Sequence, residues 1–415
     1  MLLYNFVIRL YSLIIRLASL KNEKAALWVN GRVNWRSQYK KRIAELGNAR
    51  KIWFHCASYG EFEQGRSLIE AIKNKYPDQK IIISFFSPSG YESFKSWKGA
   101  DFVCYLPSDT PGNAIDFINI INPQTAIFIK YEFWVNYLFQ LKKHEIQTYL
   151  VSAVFKPHHP FFKWYGGVFK RSLSTFNFID VQDGQSKKLL ESIGVKNVRI
   201  SGDTRFDRVI SIKNKNEKID VLENFSNGLP LFVAGSTWPK DDEFIIRNLA
   251  SGKLPFDKIV LVPHEVDKSS IQQLINLLSQ YELSFVKYSE FQNNTINHQV
   301  LVIDTIGLLS KIYRYANVAY VGGGFDDGWH NVLEPSVYGI PVILFGVDEG
   351  KFNEITELIK MKTIGLVTND IEFVNYANEF YNSENLKNEI NNKLALYFNE
   401  KSNATARVLE GMNLY

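Results

Sequence analysis

Short apolar runs alternate with helical stretches along this 415-residue chain, and the series occurs twice. In the first series, strands are predicted at Lys51–Cys56, Lys80–Phe86, Phe102–Leu106, Thr125–Ile129, Thr148–Ser152, Phe178–Val181 and Arg199–Ser201. Helical spacing falls between them at Glu61–Lys75, Gly90–Trp97, Asp109–Ile121 and Trp134–His144. The second series has strands at Leu231–Ala234, Lys258–Val262, Gln299–Ile303, Val318–Val321 and Pro341–Leu344, with helices at Asp241–Leu249, Ser269–Tyr281 and Ile306–Tyr315. A helix after nearly every strand requires parallel βαβ units, because antiparallel neighbours need only a short turn. The length also exceeds what one hydrophobic core organises. Two doubly wound Rossmann-like α/β domains facing a cleft are therefore expected, with ligands outside the carboxyl ends of the strands. The stretch from Val209 to Pro230 is polar, rich in lysine and asparagine, and lacks a periodic apolar face. The boundaries read as an arm at 1–45, a first domain at 46–210, a linker at 211–230 and a second domain at 231–415.

Apolar residues make up 46 % and charged residues 22 %, an ordinary globular composition, and the net charge of +5 is mild. That balance does not point to nucleic acid as a partner. Cys56 and Cys104 have no partners at metal-ligand spacing and read as reduced, buried thiols. The positive charge is concentrated in the first 42 residues, where Arg9, Arg16, Lys21, Lys24, Arg32, Arg36, Lys40, Lys41 and Arg42 face one acid, Glu23. Arg9 and Arg16 interrupt the apolar run Leu2 to Leu20, which disfavours a spanning helix. No small-residue cleavage site follows, so a secretory signal fits poorly. An amphipathic helix lying on an anionic membrane surface fits better, with Tyr4, Phe6, Tyr11, Trp28 and Trp35 available at headgroup depth. A short membrane anchor and a helix packed on its own domain are the other readings.

Loops after the strands carry the chemistry. Gly322-Gly323-Gly324 follows an apolar strand, and Trp329-His330-Asn331-Val332-Leu333-Glu334-Pro335 leads into a predicted helix. A glycine turn ahead of a helix start can present N–H groups to a phosphate. The plainer reading is a tight strand–helix turn in which glycine only relieves crowding. Ser236 and Thr237 can cap a helix or touch a phosphate. Asp326-Asp327 is a weak metal candidate and more simply a solvated turn. After the first strand, His55-Cys56-Ala57-Ser58-Tyr59-Gly60-Glu61 places a carboxylate in a first helical turn, where the dipole favours its ionised form. Such a carboxylate can act as a general base, or can merely suit a first turn. No Walker-type or nicotinamide fingerprint appears, and no cluster has metal-ligand spacing.

In their order these segments resemble the 3-deoxy-D-manno-octulosonic acid (Kdo) transferases of lipopolysaccharide assembly. The likeness runs through His55 to Glu61, Tyr105-Leu106-Pro107-Ser108-Asp109, Tyr131-Glu132-Phe133-Trp134, Gly202-Asp203-Thr204-Arg205-Phe206-Asp207, Ala234-Gly235-Ser236-Thr237, Asp304-Thr305-Ile306-Gly307 and the glycine turn ending at Pro335. The resemblance implies a GT-B glycosyltransferase that moves Kdo from CMP-Kdo to a lipid A precursor without a metal or cofactor. It would act at the cytoplasmic face of the bacterial inner membrane. Glu61 would be the general base. Pro263, His264, Ile306, Gly307, Leu308, Asn331, Val332, Leu333 and Glu334 would bind the cytidylate, with Ser58, Gly60, Glu132, Ser236, Thr237 and Gly323 in support. His264 stands where the family has arginine, Leu308 where it has glutamate, and Lys130 where it has an acid. CMP departs as an anion, so no general acid is strictly needed, and direct displacement would invert the anomeric centre. A nucleotide-sugar epimerase on the same scaffold and a non-catalytic membrane-associated binding protein remain alternatives.

Overall fold

The computed structural model describes residues 1–292, 297–325, 328–348, 350 and 352–414. Asp326 and Asp327 lie outside the described residues. The chain divides into two compact units, one comprising Met1–Arg208 with Lys401–Tyr415, the other Val209–Glu400.

The first unit holds a seven-stranded sheet, β1 (Lys51–Cys56), β2 (Lys80–Phe85), β3 (Phe102–Tyr105), β4 (Thr125–Ile129), β5 (Gln147–Ala153), β6 (Phe178–Val181) and β7 (Val198–Ile200). Its order is β3-β2-β1-β4-β5-β6-β7, and every pairing is parallel. Parallel strands covered by helices on both faces are apolar throughout, and all six residues of β1 are buried. Alternation along β1 sorts its side chains. Ile52, Phe54 and Cys56 enter the core under helix Tyr59–Lys75. Trp53 enters the opposite core with Phe117, Phe128 and Tyr137. The strand order reverses between β1 and β4, so the loops leaving these two strands diverge and leave a crevice at the carboxyl edge.

The second unit repeats the plan with β8 (Leu231–Thr237), β9 (Lys258–Pro263), β10 (Phe285–Lys287), β11 (Val300–Val302), β12 (Ala316–Val321), β13 (Val342–Phe345) and β14 (Ile364–Val367). Its order is β10-β11-β9-β8-β12-β13-β14, again parallel. Here the reversal falls between β8 and β12. The two doubly wound domains expected from the sequence are present.

Three expectations are corrected. Residues 211–230 are not an unstructured linker: helix Thr204–Lys215 runs into them and helix Asp220–Ser226 follows. Leu222 and Phe225 are buried, an apolar pair too short to show as a periodic face. Residues 401–415 do not stay with the second domain. Val408, Met412 and Leu414 fill the core beneath helix Tyr59–Lys75, and the Asn413 N–H donates to the Tyr149 hydroxyl at 2.9 Å. In the arm, Trp28 and Trp35 are only 6 % and 5 % exposed, so they cannot sit at headgroup depth. Arg32 accounts for Trp28: its guanidinium lies 3.9 Å from that ring and donates to the carbonyls of Phe86 and Leu106.

The arm forms helices Leu2–Ala18, Glu23–Asn30 and Trp35–Glu45. The first of these turns its more polar stripe inward. Tyr4 donates to Asp109 Oδ2 at 2.5 Å, Asn136 donates to Asn5 at 2.9 Å, and Ser12 donates to Ser108 at 3.0 Å. Leu2, Leu3, Phe6, Val7, Leu10, Leu13, Ile14 and Leu17 remain exposed on the other side. Among the described residues no helix is long and apolar enough to cross a membrane.

Candidate active site

In the first unit the crevice is built by the loops after β1 and β4. Ser58 precedes helix Tyr59–Lys75 in extended conformation, and Gly60 is exposed in the first turn. Glu61, three residues into the helix, reaches back so that its carboxylate accepts from the Ala57 N–H at 2.5 Å. The acid thus reaches past the N-cap residue Ser58 to the residue before it, and Ser58 makes no reciprocal side-chain cap. The expectation that the helix start keeps Glu61 ionised is corrected by its surroundings. Burial first, and the charge of Glu132 second, push its carboxyl up to about 8, against the pull of the Ala57 N–H and of Lys130. Desolvation wins because the charged form loses more water than one or two N–H groups replace.

Glu132 comes from the other side of the crevice. Its Oε2 receives His55 Nε2 at 2.8 Å and also the Trp134 indole N–H. His55 is fully buried, on the Trp53 side of β1, and its Nδ1 meets Ser84 Oγ at 2.8 Å. His55 Nε2 and the Trp134 indole N–H, themselves 2.8 Å apart, both meet this one carboxylate oxygen and fix the position of Glu132. Between β4 and this acid, Lys130 adopts a left-handed φ of 66°, a conformation unusual outside glycine and often found where function shapes a backbone. The sequence pointed to Glu61 and Glu132. It did not point to His55 as a partner, although a histidine inside an otherwise apolar strand was the available signal.

In the second unit the sequence-selected residues gather at the carboxyl ends of β8, β9, β11 and β12. Ser236 and Thr237 are the last residues of β8 rather than a cap, and Ser236 takes a left-handed φ of 53°. The Thr237 carbonyl accepts from the His264 N–H at 2.9 Å, just beyond Pro263 at the end of β9. The His264 ring stacks on Trp238 at 4.6 Å and on His330 at 4.4 Å, while Trp238 Nε1 donates to His330 Nε2 at 2.9 Å. Nothing in the sequence announced this three-ring stack, because its members come from three loops. Ile306 and Gly307 are exposed after β11, and Leu308 leads into helix Leu309–Ile312. That helix approaches β8 because Gly235 has no side chain: a Cβ there would lie 2.0 Å from the Tyr313 hydroxyl. The Tyr338 hydroxyl donates to the Ser310 carbonyl at 2.9 Å, tying this segment to the 331–338 region. There Asn331 donates to Glu334 at 3.1 Å and accepts from the Leu333 N–H at 3.1 Å, with Val332 and Leu333 buried beneath.

The glycine turn is corrected toward the plainer reading. Gly323 has a φ of 100°, and its N–H donates to Asp241 Oδ2 at 2.9 Å, leaving that donor committed within the protein. The predicted helix at 334–338 is a single turn, Leu333–Ser336, with few aligned peptides to hold a phosphate. Asp241 is the organising residue here. It is fully buried and also accepts from the Trp238 N–H at 3.0 Å and the Tyr320 hydroxyl at 2.6 Å. If residues 331–334 hold CMP as the resemblance implies, Asn331→Ala or Glu334→Ala should weaken its binding by about 5- to 10-fold, the effect of losing about one net hydrogen bond. Calorimetric titration of CMP checks this, with the melting temperature as a control for folding.

Two parallel seven-stranded Rossmann-like domains, with loops gathered at the carboxyl edge of each, make up a GT-B architecture. A solved structure, UDP-GlcNAc 2-epimerase from Neisseria meningitidis bound to UDP-GlcNAc, superposes with a TM-score of 0.60 over 87 % of this chain and 98 % of that one. At 13 % identity the likeness concerns the fold alone. Residues 30–208 match the 3-deoxy-D-manno-octulosonic-acid transferase (kdotransferase) family. A 3-deoxy-D-manno-octulosonic acid transferase of Haemophilus influenzae is 29 % identical over 346 residues, covering 78 % of each chain. A bifunctional glycosyltransferase/methyltransferase of Fusobacterium nucleatum is 26 % identical over 402 residues, and the match spans 94 % of this chain but 60 % of that protein. The chain thus resembles the Kdo transferase family, through residues 30–208 and through relatives 27–29 % identical to it.

Proposed function

We propose that the protein transfers Kdo from CMP-Kdo to a hydroxyl of a lipid A precursor at the cytoplasmic face of the bacterial inner membrane, with inversion and without a metal. The observation that supports this reading best is the carboxylate pair of the first unit: Glu61, its carboxyl pushed up to about 8, beside a Glu132 fixed by His55 and Trp134. A base acts best when its pKa lies near the working pH, and Glu61 is tuned toward that range. It takes the proton of the acceptor hydroxyl as the oxygen forms the bond to the anomeric carbon. The bond between that carbon and the phosphate oxygen breaks, and CMP leaves as an anion.

The second unit supplies the donor site. Asn331 and Glu334 offer polar groups, and the Trp238, His264 and His330 rings offer a flat apolar and weakly basic surface. His264 in the arginine position gives a smaller cation than a guanidinium, so phosphate contact there is weaker and depends on imidazole protonation. The outward apolar face of helix Leu2–Ala18, with Arg9 and Arg16 exposed beside it, suits an anionic bilayer. The test is to incubate the purified protein with CMP-Kdo and a tetra-acylated lipid A precursor and weigh the lipid. The proposal expects the lipid to gain one or more Kdo residues. An unchanged lipid with free Kdo or an altered nucleotide sugar would contradict it.

A further inference from the structure

Trp164 is 95 % exposed and Tyr165 61 % exposed, adjacent rings at the tip of a loop in a unit that buries most of its aromatic residues. The base of the loop is firmly packed: Phe161 lies 4.5 Å from Phe133 and 5.5 Å from Phe155. The two exposed rings therefore add nothing to the core. Exposed neighbouring aromatics of this kind mark a contact surface. Charge indicates what they contact. From Glu145 to Asp180 the chain has no acid between, while Lys156, Lys163, Lys170 and Arg171 are all present. Indole and phenol rings with lysines around them suit the headgroup layer of an anionic bilayer, where ring edges find polar partners and lysine stems lie along apolar surface.

The position is also informative. The loop leaves the carboxyl end of β5, the neighbour of β4, so it stands at the sheet edge that carries Glu61 and Glu132. His159 touches Tyr131 at 5.9 Å, next to Glu132. Helix Gly167–Leu173 follows the loop, and its Phe169 touches Tyr4 of the first arm helix at 6.0 Å. The arm helix and the helix that follows the loop are thus in contact within the first unit.

We propose that the Trp164–Tyr165 loop is a second membrane contact, inserting its two rings into an anionic lipid surface and holding the carboxyl edge of the first sheet against the bilayer. The inference rests on the proposed lipid-borne acceptor: a contact here brings a hydroxyl in the headgroup layer to the edge where Glu61 sits.

Flotation of the full-length protein with phosphatidylethanolamine–phosphatidylglycerol vesicles tests it. Trp164→Ala combined with Tyr165→Ala should reduce partitioning by about 10-fold. A separate full-length variant, Phe6→Glu with Leu13→Glu and Leu17→Glu, probes the arm. Loss of binding in the loop variant supports the inference whether or not the arm variant is also released. Native binding by the loop variant, with release of the arm variant, overturns the inference and leaves the arm as the contact. Native binding by both variants overturns the inference and the arm reading together. Brominated lipid supplies a second readout that does not depend on the double variant folding. It should quench part of the tryptophan emission of the native protein, and Trp164→Phe should remove that part while vesicle binding persists. Equal quenching in the two proteins would also overturn the inference.

Discussion

Glu61→Gln should lower Kdo transfer by about 10²- to 10⁴-fold, the contribution of a positioned general base, while CMP binding stays near its native value. The amide preserves the size of the side chain and an oxygen that can accept from the Ala57 N–H, so the helix start survives. If Glu61 served only as a first-turn residue, the change would cost about 0.3–1 kcal/mol of stability and little activity. Measuring the transfer rate alongside calorimetric CMP affinity separates the two. The linked stability effect has a definite sign. The folded state holds the Glu61 proton more tightly, at about 8, than the ordinary value of 4.5 in the unfolded chain. The contribution of neutral Glu61 is therefore full below about 4.5 and is lost as pH rises toward 8. The neutral amide in Glu61→Gln should flatten that decline.

Asp241→Ala should be the most damaging single change in the second unit. It removes the acceptor for the Trp238 N–H, the Gly323 N–H and the Tyr320 hydroxyl in a fully buried setting. Each orphaned donor costs about 1–3 kcal/mol, so a total near 3–5 kcal/mol is expected after partial relaxation. The same change frees the Trp238 loop and the Gly323 turn from each other. CMP binding should then fall even at temperatures where the variant remains folded. Asp241→Asn keeps one oxygen acceptor and should recover part of both losses. Thermal melts paired with CMP titrations check this, and an Ala variant with native melting and native affinity would remove Asp241 from its organising role.

The first sheet was legible in the sequence because most of its strands are parallel and buried on both faces, and all seven were found, the edge strands β3 and β7 included. In the second sheet β10 and β14 escaped. Phe285–Lys287 and Ile364–Val367 are short edge strands, whose few residues carry little periodic signal. Return of residues 401–415 to the first unit was not legible either, since Val408, Met412 and Leu414 look like any apolar helix-end residues until their partners are known. The placement of Glu61, Glu132, His264 and Asn331 to Glu334 in loops beyond strands was readable because each belongs to a motif that follows an apolar run. Asp241 and His55 were missed. Their importance lies in hydrogen bonds to other loops, which local spacing cannot reveal. For the glycine turn, local chemistry suggested phosphate binding, yet the buried acid had already taken the Gly323 N–H.

On the proposed mechanism burial, and after it the charge of Glu132 held by His55 and Trp134, raises the proton affinity of Glu61 so that Glu61 can serve as base. The most direct measurement is the pH dependence of single-turnover transfer by the native protein and by Glu132→Gln. The amide can still accept from His55 and Trp134, so mainly the charge is removed. The native rate should rise with pH and level off above about 8, the value set for Glu61 by burial and Glu132. In Glu132→Gln this rise should move to lower pH, whatever the height of the plateau. A rise that stays at the native position in Glu132→Gln, or a native rise at the ordinary carboxylate value near 4.5, would contradict the account.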